Sequence, residues 1–166
     1  ITARLGGVHT IVSSLHTFIK TPSIVLDNGI YFLSLMAKNS AEAAEVILSE
    51  DSGAVEVVLK LMQYHFNLAV IQNYCCMFLR YATKTVTGMG VITNKGGVDV
   101  LTKVMLEHKD SGQVQINGIV ALSNIFGLEE FKNRYYNKQF EEDIVKVIER
   151  KYTNEPAVKE AIKVIR

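Results

Sequence analysis

The feature that most constrains this chain is a sequence pattern that returns about every 44 residues. A short turn containing glycine precedes apolar residues at helical spacing, and the steps between Gly7, Gly53 and Gly97 are 46 and 44 residues. A fourth, glycine-free copy begins at Asn137, 43 residues after Asn94. Such a period is typical of a chain built from repeated structural units.

A second landmark repeats in step with the first. Val25 opens a run of residues that matches the runs beginning at Ile71, Val114 and Val158, with steps of 46, 43 and 44 residues. Two independent landmarks that share one period make a chance match improbable. The period predicts four units in a single domain, at about residues 1–48, 49–92, 93–136 and 137–166.

The units predict helices and no strand. In the third unit, two runs of apolar residues at helical spacing are separated by turn-forming residues from Lys109 to Gly112. One such unit buries too little apolar surface to fold alone, so neighbouring units must stack. The sequence therefore predicts an all-α fold. Because the chain begins at Ile1 without a methionine, we also expect it to be part of a longer protein.

The third unit resembles an armadillo repeat. It combines Gly96-Gly97-Val98 and Leu101 with a second run in which Val114-Gln115 precedes Ala121-Leu122-Ser123-Asn124-Ile125. The first two units follow the same pattern more loosely, so the resemblance covers nearly the whole chain. It implies a right-handed superhelical armadillo-type solenoid whose long final helices line a concave face. It also implies a scaffold that binds a protein or peptide on that face.

The resemblance indicates where a partner would bind. In this family an asparagine on the final helix of each unit binds the backbone of an extended peptide, and Asn124 occupies that position here. Leu35 and Tyr81 stand at the equivalent positions of the first two units. The sequence contains no tryptophan, the residue with which nuclear-localisation-signal receptors of the family hold a lysine. We therefore do not expect that receptor activity.

Positions one and two helical turns before the asparagine position extend the predicted contact surface. The result is a set of three residues on the final helix of each of the first three units, and we call each such set a rung. The nine residues are Asn28, Tyr31 and Leu35, then Tyr74, Met77 and Tyr81, then Asn117, Val120 and Asn124. All nine are uncharged, and tyrosine and methionine make adaptable contacts. The surface therefore predicts an apolar or amphipathic partner segment rather than an acidic or strongly basic one.

An alternative is that the array is a structural or regulatory module of a larger protein. Residues 1–92 carry twelve charged side chains, against twenty-three in residues 93–166. A surface poor in charge suits packing against other domains, or self-association into a homo-oligomer, as well as it suits a separate partner. In that case the concave face would be covered.

Residue types that could carry chemistry form no recognisable set. Four histidines are spread over three units, and none belongs to a metal-ligand motif. Cys75 and Cys76 lie among apolar residues of a predicted helix, which favours packing over catalysis. Gly88-Met89-Gly90 lacks the spacing of a phosphate-binding loop, and we expect Thr83 to Thr93 to form an extended loop. We therefore expect no enzymatic activity, no metal and no cofactor.

Charge, hydropathy and cysteine content indicate which classes of partner and which compartment to expect. With 18 basic and 17 acidic residues, and no basic or stacking pair recurring between units, we expect no nucleic-acid partner. The longest uncharged run, Leu61 to Leu79, contains Gln63, Asn67 and Asn73, so we expect no membrane span. Two adjacent cysteines do not suit a structural disulfide, which favours a reducing intracellular compartment, the cytoplasm.

Overall fold

The structure is a computed structural model that describes the backbone of residues 2–166 and the side chains of residues 6–166. Ile1, the first residue of the first predicted unit, lies outside the described residues. Every regular element in the described range is helical, and no strand occurs within it. The all-α prediction is therefore confirmed.

After two long helices in the first unit, the helices follow a recurring order of one short helix and then two longer ones. The first eight are α1 (Thr2–Thr17), α2 (Ile24–Asn39), α3 (Ala41–Leu48), α4 (Ala54–Tyr64), α5 (Ala69–Ala82), α6 (Val86–Asn94), α7 (Gly97–Glu107) and α8 (Gly112–Phe126). Then come α9 (Glu129–Tyr135), α10 (Lys138–Phe140), a π-helix (Glu141–Val145), α11 (Lys146–Lys151) and α12 (Pro156–Ile165). A short 3₁₀ turn, Glu50–Ser52, precedes α4.

Two layers of helices enclose the core. In one layer α2 packs against α5, α5 against α8, and α8 against α12. In the other, α1 packs against α4, α4 against α7, and α7 against the π-helix. Apolar side chains such as Leu33, Phe78 and Phe126 fill the space between the layers and are at most 2% exposed. Each unit therefore buries its apolar face against its neighbours in the chain.

Glycines begin two of the middle helices for a conformational reason. Gly53 and Gly96 precede α4 and α7 with φ of 66° and 74°, which is the left-handed region that favours glycine. A Cβ on Gly97 would collide with the backbone and side chain of Ile92, so this glycine permits a close approach. The matching pair Gly6-Gly7 behaves differently, because it lies inside α1 and marks no turn.

The extended loop predicted from Thr83 to Thr93 is wrong, because most of that segment forms α6. The side-chain oxygen of Thr85 accepts a hydrogen bond from the backbone N–H of Gly88 at 3.0 Å and caps the helix start. A Cβ at Gly88 would overlap the carbonyl oxygen of Ala82, so glycine is the residue that lets α6 follow α5 so closely. The glycines that predicted a loop therefore serve a tight helix connection.

Two buried glutamines connect the two longer helices of a unit by hydrogen bonds, α5 to α4 and α8 to α7. Nε2 of Gln72 donates to the carbonyl oxygens of Met62 and His65 at 2.9 and 2.8 Å. Gln115, 43 residues later, makes the equivalent two bonds at 2.8 and 3.0 Å. These bonds satisfy carbonyls at the end of a helix, where no intrahelical partner exists.

A second set of polar contacts joins neighbouring units. Nε2 of His65 lies 2.8 Å from the carbonyl oxygen of Ile19, and Nε2 of His108 lies 2.6 Å from that of Phe66. Tyr152 takes this position in the last unit, and its hydroxyl donates to the carbonyl of Lys109 at 3.4 Å. Two of the four histidines thus hold the stack together. In the described part of the chain, no helix has the length and hydropathy needed to cross a membrane.

Candidate functional site

The helices α2 and α5 pack side by side, and we call the surface formed by their outer sides the α2–α5 face. Residues on each helix follow at steps of four, three, four and three positions, which places them on one side. The face comprises Ile24, Asn28, Tyr31, Leu35 and Lys38 of α2, with Val70, Tyr74, Met77 and Tyr81 of α5 and the following Lys84. Six of the nine predicted contact residues therefore lie together on this face.

Aromatic side chains bridge the two helices at the middle of the face. The ring centroids of Tyr31 and Tyr74 are 5.7 Å apart, with the rings tilted by 59°. Tyr31 remains 44% exposed although it makes this contact. Such a tilted aromatic pair contributes about 0.5–1.5 kcal/mol beyond the burial of its area. The pair therefore presents a preformed aromatic surface to solvent.

The N-terminal end of the face is apolar and open. Ile24 is 73% exposed and Val70 is 60% exposed, and both line a cleft of about 440 Å³ between the starts of α2 and α5. Leu68, which precedes α5, lines the same cleft and is 40% exposed. Three neighbouring aliphatic side chains therefore stand in solvent at this end of the face, which makes it a candidate contact surface.

The C-terminal end of the face is cationic. Nζ of Lys84 lies 5.2 Å from the ring centroid of Tyr81, and Nζ of Lys38 lies 5.7 Å from it. The guanidinium carbon of Arg80 lies 5.9 Å from the same centroid. All three distances are within the range of a cation–π contact. One aromatic ring therefore gathers three positive charges from two helices and a loop.

In the third rung, on α8, the asparagine side chains are hydrogen-bonded to α5 and its C-terminal end. Asn117 is 6% exposed, and its Nδ2 donates to Oδ1 of Asn73 at 3.0 Å. Its Oδ1 accepts a hydrogen bond from Nη1 of Arg80 at 3.1 Å. Asn124 donates from Nδ2 to Oγ1 of Thr83 at 3.1 Å and to the carbonyl of Arg80 at 3.3 Å. The amides of both asparagines thus bind α5, and Asn117 in particular is not on an open surface.

The remaining residue of that rung, Val120, is half-buried between these two asparagines. It packs against the core, as Tyr74 and Tyr81 do on α5. The α8 rung is therefore a polar helix–helix contact, whereas Asn28 and Tyr31 of the α2 rung are exposed and the α5 rung is half-buried.

Four residues of the α2–α5 face were missed by reasoning from sequence. Ile24 and Val70 are 46 residues apart, as are Lys38 and Lys84, and this is the step that relates the first two units. Extending each rung by one helical turn in both directions would have found them. The nine predicted contact residues are uncharged, but three cations that are not among them lie around Tyr81.

The groups that could act as nucleophiles or metal ligands are placed unfavourably for chemistry. Cys75 and Cys76 are fully buried. Burial raises the pKa of the Cys76 thiol to about 12 and that of the Cys75 thiol well above its ordinary value. Both thiols are therefore protonated and poor nucleophiles at neutral pH. Within the residues that the structure describes, no three histidine, cysteine or acidic side chains converge on a metal site.

No protein-family model matches the chain, and no curated protein matches it. Among solved structures, the chain is similar to a crystal structure of an engineered protein, with a TM-score of 0.76 and 23% sequence identity. The match covers 96% of this chain but only 60% of the length of the engineered protein. At this identity the similarity concerns the fold.

Proposed function

We propose that this chain is an armadillo-type repeat solenoid that serves as a scaffold for protein–protein interaction. The partner is a peptide segment with apolar side chains, and it binds on the α2–α5 face. The face lies on the concave side of a right-handed superhelix formed by the long helices of a single repeat domain. The protein works in the cytoplasm and is not an enzyme.

One observation carries this proposal: most of the row is exposed on α2 and it is half-buried on α5, whereas on α8 both of its asparagines are hydrogen-bonded to α5 and its C-terminal end. Tyr31 is 44% exposed and Ile24 is 73% exposed, whereas Asn117 is 6% exposed. A stable fold gains nothing from leaving large apolar side chains in water, so the exposure of Ile24 and Tyr31 on α2 and of Val70 on α5 favours a surface used for binding. Paired tyrosines suit this role because they offer large contact area at low entropic cost.

The proposal is tested by selecting binders with the purified chain. Random peptides of about 12 residues, displayed on phage, are selected on the immobilised protein, and enriched sequences are synthesised for fluorescence-polarisation titrations. We expect enriched peptides to carry aliphatic or aromatic residues. The double variant Tyr31→Ala/Tyr74→Ala should weaken their binding at least about tenfold, because truncating a central aromatic contact typically costs 1–3 kcal/mol or more.

A matched control comes from an exposed tyrosine elsewhere. Tyr64, at the end of α4, is 54% exposed and has one lysine, Lys20, at 5.9 Å from its ring centroid. Tyr64→Ala should leave peptide affinity unchanged. The proposal fails if no peptide is enriched, or if peptides bind the Tyr31→Ala/Tyr74→Ala variant as tightly as the original chain while its thermal unfolding is unaltered.

The second candidate function is a structural module that associates with a copy of itself or with another domain. The cleft lined by Ile24, Leu68 and Val70 favours it, because aliphatic side chains predominate there. Light scattering at increasing concentration separates the two functions. Self-association that disappears in Val70→Asp supports the module, whereas a monomer at all concentrations counts against it.

A further inference from the structure

Among the described residues, no carboxylate forms an ion pair with the cations at the C-terminal end of the α2–α5 face, which are Lys38, Arg80 and Lys84. Arg80 is instead oriented by the side-chain oxygen of Asn117, which is buried behind it. Three positive charges are therefore held beside one tyrosine ring without an ion pair to any described residue.

Their convergence is unexpected in this half of the molecule. Residues 6–92 contain five lysine and arginine side chains, and three of these surround Tyr81. Like charges repel, so bringing them together on one surface costs free energy unless an opposite charge is bound. This arrangement favours a ligand that supplies negative charge.

The face also has a direction. Ile24 and Lys38 are fourteen residues apart on one helix, which corresponds to about 21 Å from the apolar end to the cationic end. An extended peptide advances about 3.3 Å per residue, so about six residues span this distance. A ligand that uses both ends must combine apolar and acidic groups at that separation.

A protein segment meets this requirement better than a nucleic acid does. Nucleic acids present a phosphate at every step, and binding them needs positive charge along the whole path. Between the apolar end and Leu35 on α2, or Met77 on α5, the face carries no lysine or arginine. The positive charge is confined to one end.

We propose that the partner of the α2–α5 face is an acidic amphipathic segment of another protein. Its apolar side chains contact Ile24 and Val70, and aspartate or glutamate residues about six extended positions away pair with Lys38, Arg80 and Lys84. The inference rests on the proposed function and gives the partner a charge pattern and an orientation. Tyr81 is a positioning residue, because its ring holds the three cations close together through cation–π contacts.

The experiment uses the peptides enriched on the intact chain. We expect aspartate or glutamate to be enriched about six positions from an aliphatic residue. The charge reversal Lys38→Glu/Lys84→Glu should weaken these peptides at least about tenfold, because several close charge pairs are lost and replaced by repulsion. The control Lys103→Glu/Lys159→Glu changes net charge equally, at exposed lysines outside the face that also lack ion pairs, and should change affinity less than about twofold.

A charge swap tests the location of the contact. When the acidic residues of a peptide are replaced by lysine, it should lose affinity for the original chain and regain it for Lys38→Glu/Lys84→Glu. A purely structural role for the two lysines would not produce this rescue. Circular dichroism of each variant establishes that its helical content is retained.

Four results would overturn the inference, and the last of them would also overturn the scaffold proposal. Enriched peptides that depend on Tyr31 and Tyr74 but lack acidic residues would leave the scaffold proposal standing and remove the acidic partner. If Lys38→Glu/Lys84→Glu and the control Lys103→Glu/Lys159→Glu weaken peptide binding equally, the net charge of the chain and not this cluster determines the affinity. Displacement of the peptide by a single-stranded oligothymidylate of similar affinity would make a polyanion the ligand. If no peptide is enriched, the scaffold proposal and this inference fail together.

Discussion

The two helix pairs that carry the predicted row, α2 with α5 and α5 with α8, use equivalent positions in opposite ways. Asn28 on α2 is exposed, whereas Asn117 at the same position of α8 is 6% exposed and hydrogen-bonded to Asn73 and Arg80. Polar side chains join α5 to α8, which we call the closed pair, whereas in the pair of α2 and α5, the open pair, Asn28 and Tyr31 of α2 stay exposed. The comparison teaches that a repeat position has no fixed role, because the role depends on the partners that neighbouring units offer.

The largest effect on the free energy of unfolding should come from removing the hydrogen bonds of Asn117 between α5 and α8. Asn117→Ala removes two side-chain hydrogen bonds and leaves the partner groups on α5 unsatisfied, so we expect the free energy of unfolding to fall by about 2 kcal/mol. The equivalent change Asn28→Ala should alter it by no more than about 0.5 kcal/mol, because Asn28 is exposed and alanine favours helix. Urea denaturation measures both. Equal effects would remove the distinction between the two pairs.

A smaller effect is expected at the C-terminal end of the closed pair. Asn124→Ala loses the bonds to Thr83 and to the carbonyl of Arg80, but the Thr83 hydroxyl keeps its bond to Leu79 at 2.8 Å. We expect a loss of about 1 kcal/mol in the same denaturation experiment. A loss as large as that of Asn117→Ala would show that the two asparagines act as one unit.

The repeat explains why the helical architecture was predictable. Two landmarks shared one period, and each unit carried apolar residues at helical spacing, so the stacking of helices followed from the need to bury those residues. The segment from Thr83 to Thr93 was mispredicted because glycine has a low intrinsic helix propensity. At Gly88 the missing side chain is needed for close packing on Ala82, and tertiary contact outweighs propensity.

The candidate site was predictable in position but not in character. The period locates Leu35, Tyr81 and Asn124 as equivalent residues, and the first two lie on the α2–α5 face. That the amide of Asn124 is occupied depends on Thr83 and Arg80, which are more than forty residues away in the sequence. No periodicity contains that information, since it arises from the contact between two units.

On the open pair, the expected change is in binding more than in stability. Tyr31→Ala should lower the free energy of unfolding by less than about 1 kcal/mol, because the side chain is 44% exposed and loses one aromatic contact. Thermal melting and peptide titration of the same sample separate the two quantities. A stability loss as large as that of Asn117→Ala would make Tyr31 a structural residue.

The smallest stability effect is expected at the cationic end. Lys38→Ala should change the free energy of unfolding by less than about 0.5 kcal/mol, because an exposed cation–π contact contributes little and a repulsion is relieved. A destabilisation above about 1 kcal/mol in urea denaturation would show that the lysine supports the fold rather than a ligand.

The central claim is that a partner binds on α2 and α5 and not on α8. Chemical-shift mapping of the ¹⁵N-labelled chain, titrated with the tightest selected peptide, tests it most directly. The account predicts that the largest amide shifts occur from Ile24 to Lys38 and from Val70 to Lys84, with small changes along α8. Shifts centred on α8, or on the opposite layer formed by α4 and α7, would contradict it.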